Sequence, residues 1–172
     1  MKISKLTLSC AAIGALALCS AKLQGDVVNP GHPRPASTVI HLPIAEIAIP
    51  VQDLGEIGNT QSLFLITSLA EYQQMFGERA PSPDFSKEWA FFYSAGLEPH
   101  GGYDAIVEDV AYTPDVQSLV LTTQLDSPGA GCVVPQIITK PYVLVRFPKP
   151  PGDVDMVRYN HDDQVVDCTG GD

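Results

Sequence analysis

The alternation of apolar and polar residues predicts a domain made mostly of short β-strands. Three segments alternate with a period of two residues, which is typical of strands with one buried face: residues 103–112, 118–125 and 141–148. Residues 88–95 are apolar almost throughout, and this favours a central strand that is buried on both faces. Residues 63–66 add a shorter β segment.

One helix is predicted after residue 68. Ser68 is a suitable N-cap, and Glu71 three residues later completes a capping box. Gly77 is a typical residue at which a helix ends. The apolar residues between these signals fall on one helical face, at Leu69, Tyr72, Met75 and Phe76.

Residues 38–51 are rich in Ile and Val and predict one or two short strands. Pro43 and Pro50 interrupt them, and proline cannot donate a hydrogen bond to a neighbouring strand, so these strands belong at a sheet edge. Together, the segments predict an α+β domain, mostly an antiparallel β-sheet or sandwich with one short helix.

The first 21 residues are predicted to be a secretory signal peptide. Lys2 and Lys5 precede an apolar run over residues 6–18, which is the order of charge and hydropathy in an export leader. This run of about 13 residues is shorter than the ~20 that span a bilayer as a helix. No transmembrane anchor is therefore expected after cleavage.

The rest of the chain suits a tether and one domain. Residues 22–37 are rich in Gly and Pro and predict a flexible tether. Residues 38–172 suit a single domain, because a chain of this size buries a core without needing extra cross-links. Its last part, residues 150–172, is acidic and predicts a loose tail with one short strand near 154–159.

The leader ends in a sequence that suits two different peptidases. Small residues at Cys19 and Ala21 favour ordinary cleavage after Ala21. Residues 16–19 also form an imperfect lipobox, in which the bulky Leu18 precedes Cys19. A soluble exported protein and a lipoprotein anchored through Cys19 both stay open, and either one lies in the periplasm, in the cell envelope or outside the cell.

Charge excludes two classes of partner. Asp and Glu outnumber Lys and Arg by 20 to 10, which gives a formal net charge of −10, and loss of the leader removes two further cations. Nucleic acid is bound by cations that neutralise its phosphates, and the sequence has no basic run. We therefore expect no binding to nucleic acid, and membrane attachment only through a lipid at Cys19.

Cys132 and Cys168 are the cysteines that remain beyond the leader. In an oxidising compartment such a pair predicts a disulfide. The closed loop of about 36 residues would stabilise the domain by roughly 3 to 4 kcal/mol. Two free buried thiols are the alternative.

The sequence carries none of the motifs that identify common enzyme or cofactor sites. We therefore expect no catalytic residue, no cofactor and no metal. Cys132 served by His100 or His161 would be a possible nucleophile, but the disulfide explains the same cysteine more simply. The Asp residues and His161 between 153 and 167 suit Ca²⁺ chemistry, but their spacing matches no EF-hand loop, so a solvated acidic tail is the preferred interpretation.

Residues 100–103, His-Gly-Gly-Tyr, are the most distinctive local feature. Two adjacent glycines permit a positive φ or a close backbone approach. The simplest interpretation is a tight turn followed by a core tyrosine. An exposed docking edge is the alternative.

Residues 84–149 resemble the C-terminal domain of the protease complex subunit PrcB family. The resemblance rests on Asp-Phe-Ser-Lys at 84–87, Gly-Gly-Tyr at 101–103, Pro-Gly at 128–129, Gln136 and Thr-Lys-Pro-Tyr at 139–142. His100 replaces the usual Thr of the glycine turn, and Cys132 and Cys168 look like additions.

The resemblance implies an exported, non-enzymatic accessory or protein-binding module. The family is named for a subunit that accompanies a subtilisin-like protease of the cell surface, so such a protease is the implied partner. The docking edge is then expected at Gly101, Gly102, Tyr103, Pro141 and Tyr142. An inhibitor-like or chaperone-like domain, in which residues 127–131 block a protease cleft, is the alternative function.

Overall fold

The computed structural model describes residues 37–78 and 80–168. The chain divides between Pro35 and Ala36 into two units, and the described residues lie in the second. They form eight strands, one α-helix and two short 3-10 segments, Val51–Leu54 and Pro114–Val116. The strands and helix are β1 (Ile40–His41), β2 (Ala45–Glu46), β3 (Ser62–Ile66), α1 (Leu69–Phe76), β4 (Glu88–Ser94), β5 (Asp104–Thr113), β6 (Ser118–Pro128), β7 (Tyr142–Pro148) and β8 (Met156–Val166).

Two four-stranded sheets pack face to face. The first has the strand order β1-β5-β6-β8, and the second has the order β2-β7-β4-β3. Their neighbouring strands are antiparallel except for β6 and β8, which are parallel. The helix packs on the other face of the second sheet. The predicted α+β class, mostly antiparallel with one short helix, is confirmed.

β4 is apolar on both faces because it lies between two cores. Phe91 and Tyr93 join the core between the sheets, whereas Ala90 and Phe92 join the core under the helix. The exposed fraction of all four residues is 0%. The prediction of a central strand buried on both faces is therefore confirmed, with β3 and β7 as its neighbours.

α1 begins where the capping signals predict. The Ser68 hydroxyl accepts a hydrogen bond from the Glu71 N–H at 3.3 Å. The Glu71 carboxylate accepts the N–H groups of Thr67 at 2.9 Å and Ser68 at 3.2 Å, and these bonds, led by the one from Thr67, lower the pKa of Glu71. Tyr72 is fully buried as expected, but Leu69 is exposed, so the first turn lies outside the core.

β1 and β2 are short edge strands, as the prolines predict. β1 pairs with β5 and β2 pairs with β7, so the chain passes from one sheet to the other between them. Pro43 lies in this crossing, and Pro50 follows β2. Because neither residue has a backbone N–H, both lie outside the strand pairing.

The acidic segment 150–172 contains a strand, as predicted near 154–159, but the expectation of an otherwise loose tail is wrong for its described part, because this strand, β8, is long. The strand covers 11 residues, against the short strand expected near 154–159. It runs parallel to β6 along its whole length, and Tyr159 stacks on Phe91 with ring centroids 5.9 Å apart. The exposed residues of β8 are largely polar or acidic, so the sequence did not indicate that its backbone pairs with β6 along the whole strand.

Several sequence predictions lie outside the described residues. They are the signal peptide over 1–21, cleavage or lipidation at Cys19, most of the tether over 22–37 and the last four residues of the tail. Within the part of the chain that is described, no helix is long and apolar enough to cross a membrane.

Candidate functional site

Three of the predicted docking residues line one open groove of about 370 Å³. We call it the Tyr103 groove. It combines the Gly-Gly-Tyr turn before β5 with the loop that enters β7 and with the start of a 3-10 segment. Its lining residues are Val51, Gly102, Tyr103, Ile138, Thr139, Lys140 and Pro141.

Hydrogen bonds join the two loops that form the groove. Glu98 and Thr139 exchange two backbone bonds, at 2.9 and 3.0 Å. The Thr139 hydroxyl donates to the carbonyl of His100 at 2.8 Å, and the Ala95 N–H donates to the Pro141 carbonyl at 3.0 Å. The walls of the groove are therefore fixed without a bound partner.

The two glycines of the turn have different roles. Gly101 is buried, and its N–H donates to the Pro135 carbonyl at 2.8 Å. Gly102 has a φ of +91°, and a Cβ at this position would lie 2.7 Å from Cγ1 of Val134. Glycine is therefore favoured at position 102 for two reasons: the positive φ is rarely adopted by other residues, and a side chain would clash with Val134.

We predict that Gly102→Ala lowers the free energy of unfolding by about 1 to 2 kcal/mol, measured by chemical denaturation. The reason is a positive φ combined with a methyl group that displaces Val134. Gly77→Ala is the matched control, because Gly77 has a φ of +82° but open space around its Cβ position. Equal losses in the two variants would show that the contact with Val134 carries no energy.

Tyr103 is half-buried at the groove. Its ring stacks on the imidazole of His100, with centroids 5.0 Å apart and an interplanar angle of 27°. Partial burial, followed by the charge of Glu98 and a hydrogen bond with it, raises the pKa of the Tyr103 phenol. The phenol therefore stays neutral at physiological pH and offers an aromatic face together with a hydroxyl.

Pro141 and Tyr142 face different parts of the protein. Pro141 lines the groove. The Tyr142 hydroxyl donates to the Ile49 carbonyl, and its ring packs against the core under the helix. Tyr142 thus holds the start of β7 in place and does not line the groove.

Two exposed apolar side chains complete the groove, and the sequence pattern did not identify them. Ile138 is 71% exposed and Val51 is 48% exposed. They lie far apart along the chain, so no local period connects them. The one signal at Ile138 was an isolated apolar pair, residues 137–138, in a segment without strand alternation.

A larger groove of about 820 Å³ lies elsewhere and contains none of the predicted docking residues. It opens between the segment after β2 and the end of the helix. Its lining residues are Ala48, Ile49, Pro50, Phe76, Gly77, Glu78, Ala80 and Pro81. Only its volume favours this groove as a binding site. The Tyr103 groove contains three of the predicted docking residues and is therefore the better candidate.

The predicted disulfide between Cys132 and Cys168 is present, with the Cα atoms 5.0 Å apart. Beside it, the Gly129 N–H donates to the Val166 carbonyl at 2.9 Å. The start of the β6–β7 loop is thereby attached to the end of β8. As a disulfide sulfur, Cys132 is not a free nucleophile.

A hydroxyl, an imidazole and a carboxylate meet on β6 and β8. The Thr123 hydroxyl lies 2.9 Å from Nδ1 of His161, and Nε2 of His161 lies 3.2 Å from Asp163. The exposed fraction of Thr123 is 0%, and its hydroxyl donates to the Asn160 carbonyl at 3.3 Å. A substrate cannot reach this hydroxyl, so the cluster holds β8 against the sandwich.

Acidic residues do not gather into a metal site in the part of the chain that is described. No group of three or more His, Cys, Asp or Glu residues within 37–78 and 80–168 is placed to hold a metal ion.

Comparison with known proteins gives one match. The family model described as PrcB C-terminal matches residues 91–148, about a third of the chain. No curated protein and no solved structure matches the chain significantly. The matched segment runs from β4 to the end of β7 and includes both loops of the Tyr103 groove. This match agrees with the sequence resemblance: residues 91–148 are similar to the PrcB C-terminal family.

Proposed function

We propose that this chain is an exported, non-enzymatic accessory subunit that binds a protein partner through the Tyr103 groove. The observation that carries the proposal is an open apolar groove whose walls are two hydrogen-bonded loops of the family-matching segment. Exposed Ile138 and Val51 lie beside an aromatic ring in this groove. A surface of this kind is typical of a site for another protein.

The fixed walls support docking because less conformational entropy is lost when a partner binds. Tyr103 is held by His100 and Glu98, and the opposite wall is held through Thr139. The groove is open, has a volume of about 370 Å³ and is lined by apolar side chains, so an apolar side chain from a segment of the partner is the proposed occupant.

The proposed partner is a protease of the cell surface or the secreted fraction, of the subtilisin-like class. The family relationship supports a protease-complex role. The leader-like residues 1–21 and the Cys132–Cys168 disulfide support export, because disulfides persist in oxidising compartments. Both the soluble form and the form lipidated at Cys19 are compatible with this role.

The test is affinity capture of the tagged, processed protein from envelope and culture fractions of its native host. We predict that a peptidase is retained by the wild type and reduced about tenfold or more by the variant Tyr103→Ala, Ile138→Asp, because central aromatic and apolar contacts dominate binding energy. Val116→Asp is the matched control, since Val116 is also an exposed apolar residue but lies in the turn between β5 and β6.

Each outcome of the capture has a clear meaning. Equal retention of the peptidase by the groove variant would remove the Tyr103 groove from the proposal. Failure to recover any peptidase with the wild type would contradict the protease association itself. Circular dichroism of both variants establishes that the comparison is made between folded proteins.

Turnover of the captured peptidase separates an accessory subunit from an inhibitor-like protein. A stoichiometric inhibitor suppresses hydrolysis of a small peptide substrate at equimolar ratio, whereas an accessory subunit does not. The segment 127–131, which would enter the cleft of a protease in the inhibitor hypothesis, is bonded to the end of β8 through Gly129. We therefore expect unchanged turnover.

A further inference from the structure

β8 is the edge strand of the first sheet, and its outer edge carries no strand in the part of the chain that is described. The strand is 11 residues long, contains no proline, and is exposed along almost its whole length. Natural edge strands are usually shortened, covered or interrupted, because an open row of N–H and C=O groups pairs readily with another strand. β8 is thus available for pairing.

The backbone bonds identify which residues of β8 face outward. The Met156 N–H donates to the Gln117 carbonyl at 3.3 Å, and the Val166 carbonyl accepts the Gly129 N–H at 2.9 Å. In a strand, the N–H and C=O of one residue point to the same side, and successive residues alternate. The even-numbered residues therefore bond towards β6, and the outward groups belong to Val157, Tyr159, His161, Asp163 and Val165.

We propose that β8 pairs antiparallel with β8 of a second copy of this chain, around a two-fold axis at Asn160. In this register Arg158 of each copy lies opposite Asp162 of the other, and Asn160 lies opposite itself. All three side chains are exposed and lie on the same face of the strand. The two symmetric Arg158–Asp162 pairs are the charge complementarity that identifies the second copy as the occupant.

The backbone geometry agrees with this register. Tyr159 lies opposite His161 of the second copy, and Val157 lies opposite Asp163, so outward-facing groups meet outward-facing groups. The pairing adds about eight backbone hydrogen bonds. Arg158 and Asp162 then form non-hydrogen-bonded pairs, in which side chains approach most closely, with Cα atoms about 4.5 Å apart.

Neighbouring registers lack the charge complementarity. An axis at His161 places Arg158 opposite Gln164, and an axis at Asp162 places two Asp162 carboxylates opposite each other, which is unfavourable. An axis between two residues would oppose outward-facing backbone groups with groups already bonded to β6. The charges thus select the axis at Asn160, and the interface is separate from the Tyr103 groove.

Sedimentation velocity over a concentration series tests the proposal on the purified, processed protein. We expect a wild-type dimer whose dissociation constant rises about tenfold or more in Arg158→Glu and in Asp162→Arg. The double variant Arg158→Asp, Asp162→Arg restores the pairs in reversed order and is expected to recover the dimer. Lys149→Glu and Glu56→Arg are the controls, because they make the same changes in net charge at exposed positions away from β8.

A cysteine at the axis provides an independent measurement of the register. Asn160→Cys is expected to form a disulfide-linked dimer under mild oxidation, because the two Cα atoms lie within disulfide range. Asp162→Cys, two residues away from the axis, is expected to remain unlinked. A monomer at all concentrations, a dimer unaffected by the single charge variants, or a double variant that stays monomeric would each overturn the proposal.

Discussion

Replacement of Cys132 and Cys168 by serine is expected to lower the free energy of unfolding by about 3 to 4 kcal/mol. The disulfide joins residues 36 positions apart, and closing a loop of this length removes conformational entropy from the unfolded chain. The loss is large compared with the 5 to 15 kcal/mol that typically stabilises a domain. Urea denaturation of the variant, compared with the oxidised wild type, measures it.

Reduced wild-type protein is the control, because it breaks the same bond without changing the sequence. It should reproduce the loss seen in the serine variant. Hydrogen exchange gives a local readout: the amides at the end of β8 should exchange faster, while those of β4, in the buried centre of the second sheet, should follow global stability. A loss below about 1 kcal/mol would show that pairing with β6 holds β8 without the disulfide.

Secondary-structure elements could be predicted where the residues of a single segment were enough to identify them. β4 was recognisable because it contacts cores on both faces and is therefore apolar throughout. The helix was recognisable because Ser68 and Glu71 cap it through a fixed local spacing. In both cases the pattern within the segment itself was enough to predict the element, and the segments that pack against it did not have to be known.

β8 shows why other parts of the fold could not be predicted. Its side chains at Arg158, Asp162 and Asp163 are exposed, so its composition matches that of a solvated tail. Its position is set by backbone bonds to β6, by the stacking of Tyr159 on Phe91 and by the disulfide. These are long-range contacts that leave no period in the sequence.

The candidate site was predictable only in part, for the same reason. The paired glycines and Tyr103 stood out because Gly102 adopts a φ that other residues rarely adopt. Val51 and Ile138 reach the same groove from distant segments, so their partnership required the folded chain. The role of Tyr142 in the core also became visible only through its bond to Ile49.

Alkaline pH is expected to destabilise the domain through two buried phenols. Burial raises the pKa of Tyr72 to about 12, and burial, followed by the charge of Asp163, raises the pKa of Tyr93 to about 12. In the unfolded chain both phenols titrate near 10. Between these values the unfolded state releases protons that the folded state retains, so stability is fully present below pH 10 and falls as the pH rises towards 12.

At pH 11 each phenol is expected to reduce the free energy of unfolding by about 1 to 1.5 kcal/mol, so the two together reduce it by about 2 to 3 kcal/mol. Urea denaturation at pH 9 and pH 11 measures the difference. Tyr72→Phe and Tyr93→Phe are the matched variants, because each removes one ionisation and keeps the ring. Each variant should lose about half of the pH dependence, although its stability at pH 9 falls through loss of a hydroxyl contact, with the Pro81 carbonyl for Tyr72 and with His161 for Tyr93. An unchanged pH dependence in the double variant would show that other groups cause the alkaline loss and that folding does not raise the pKa values of these two phenols.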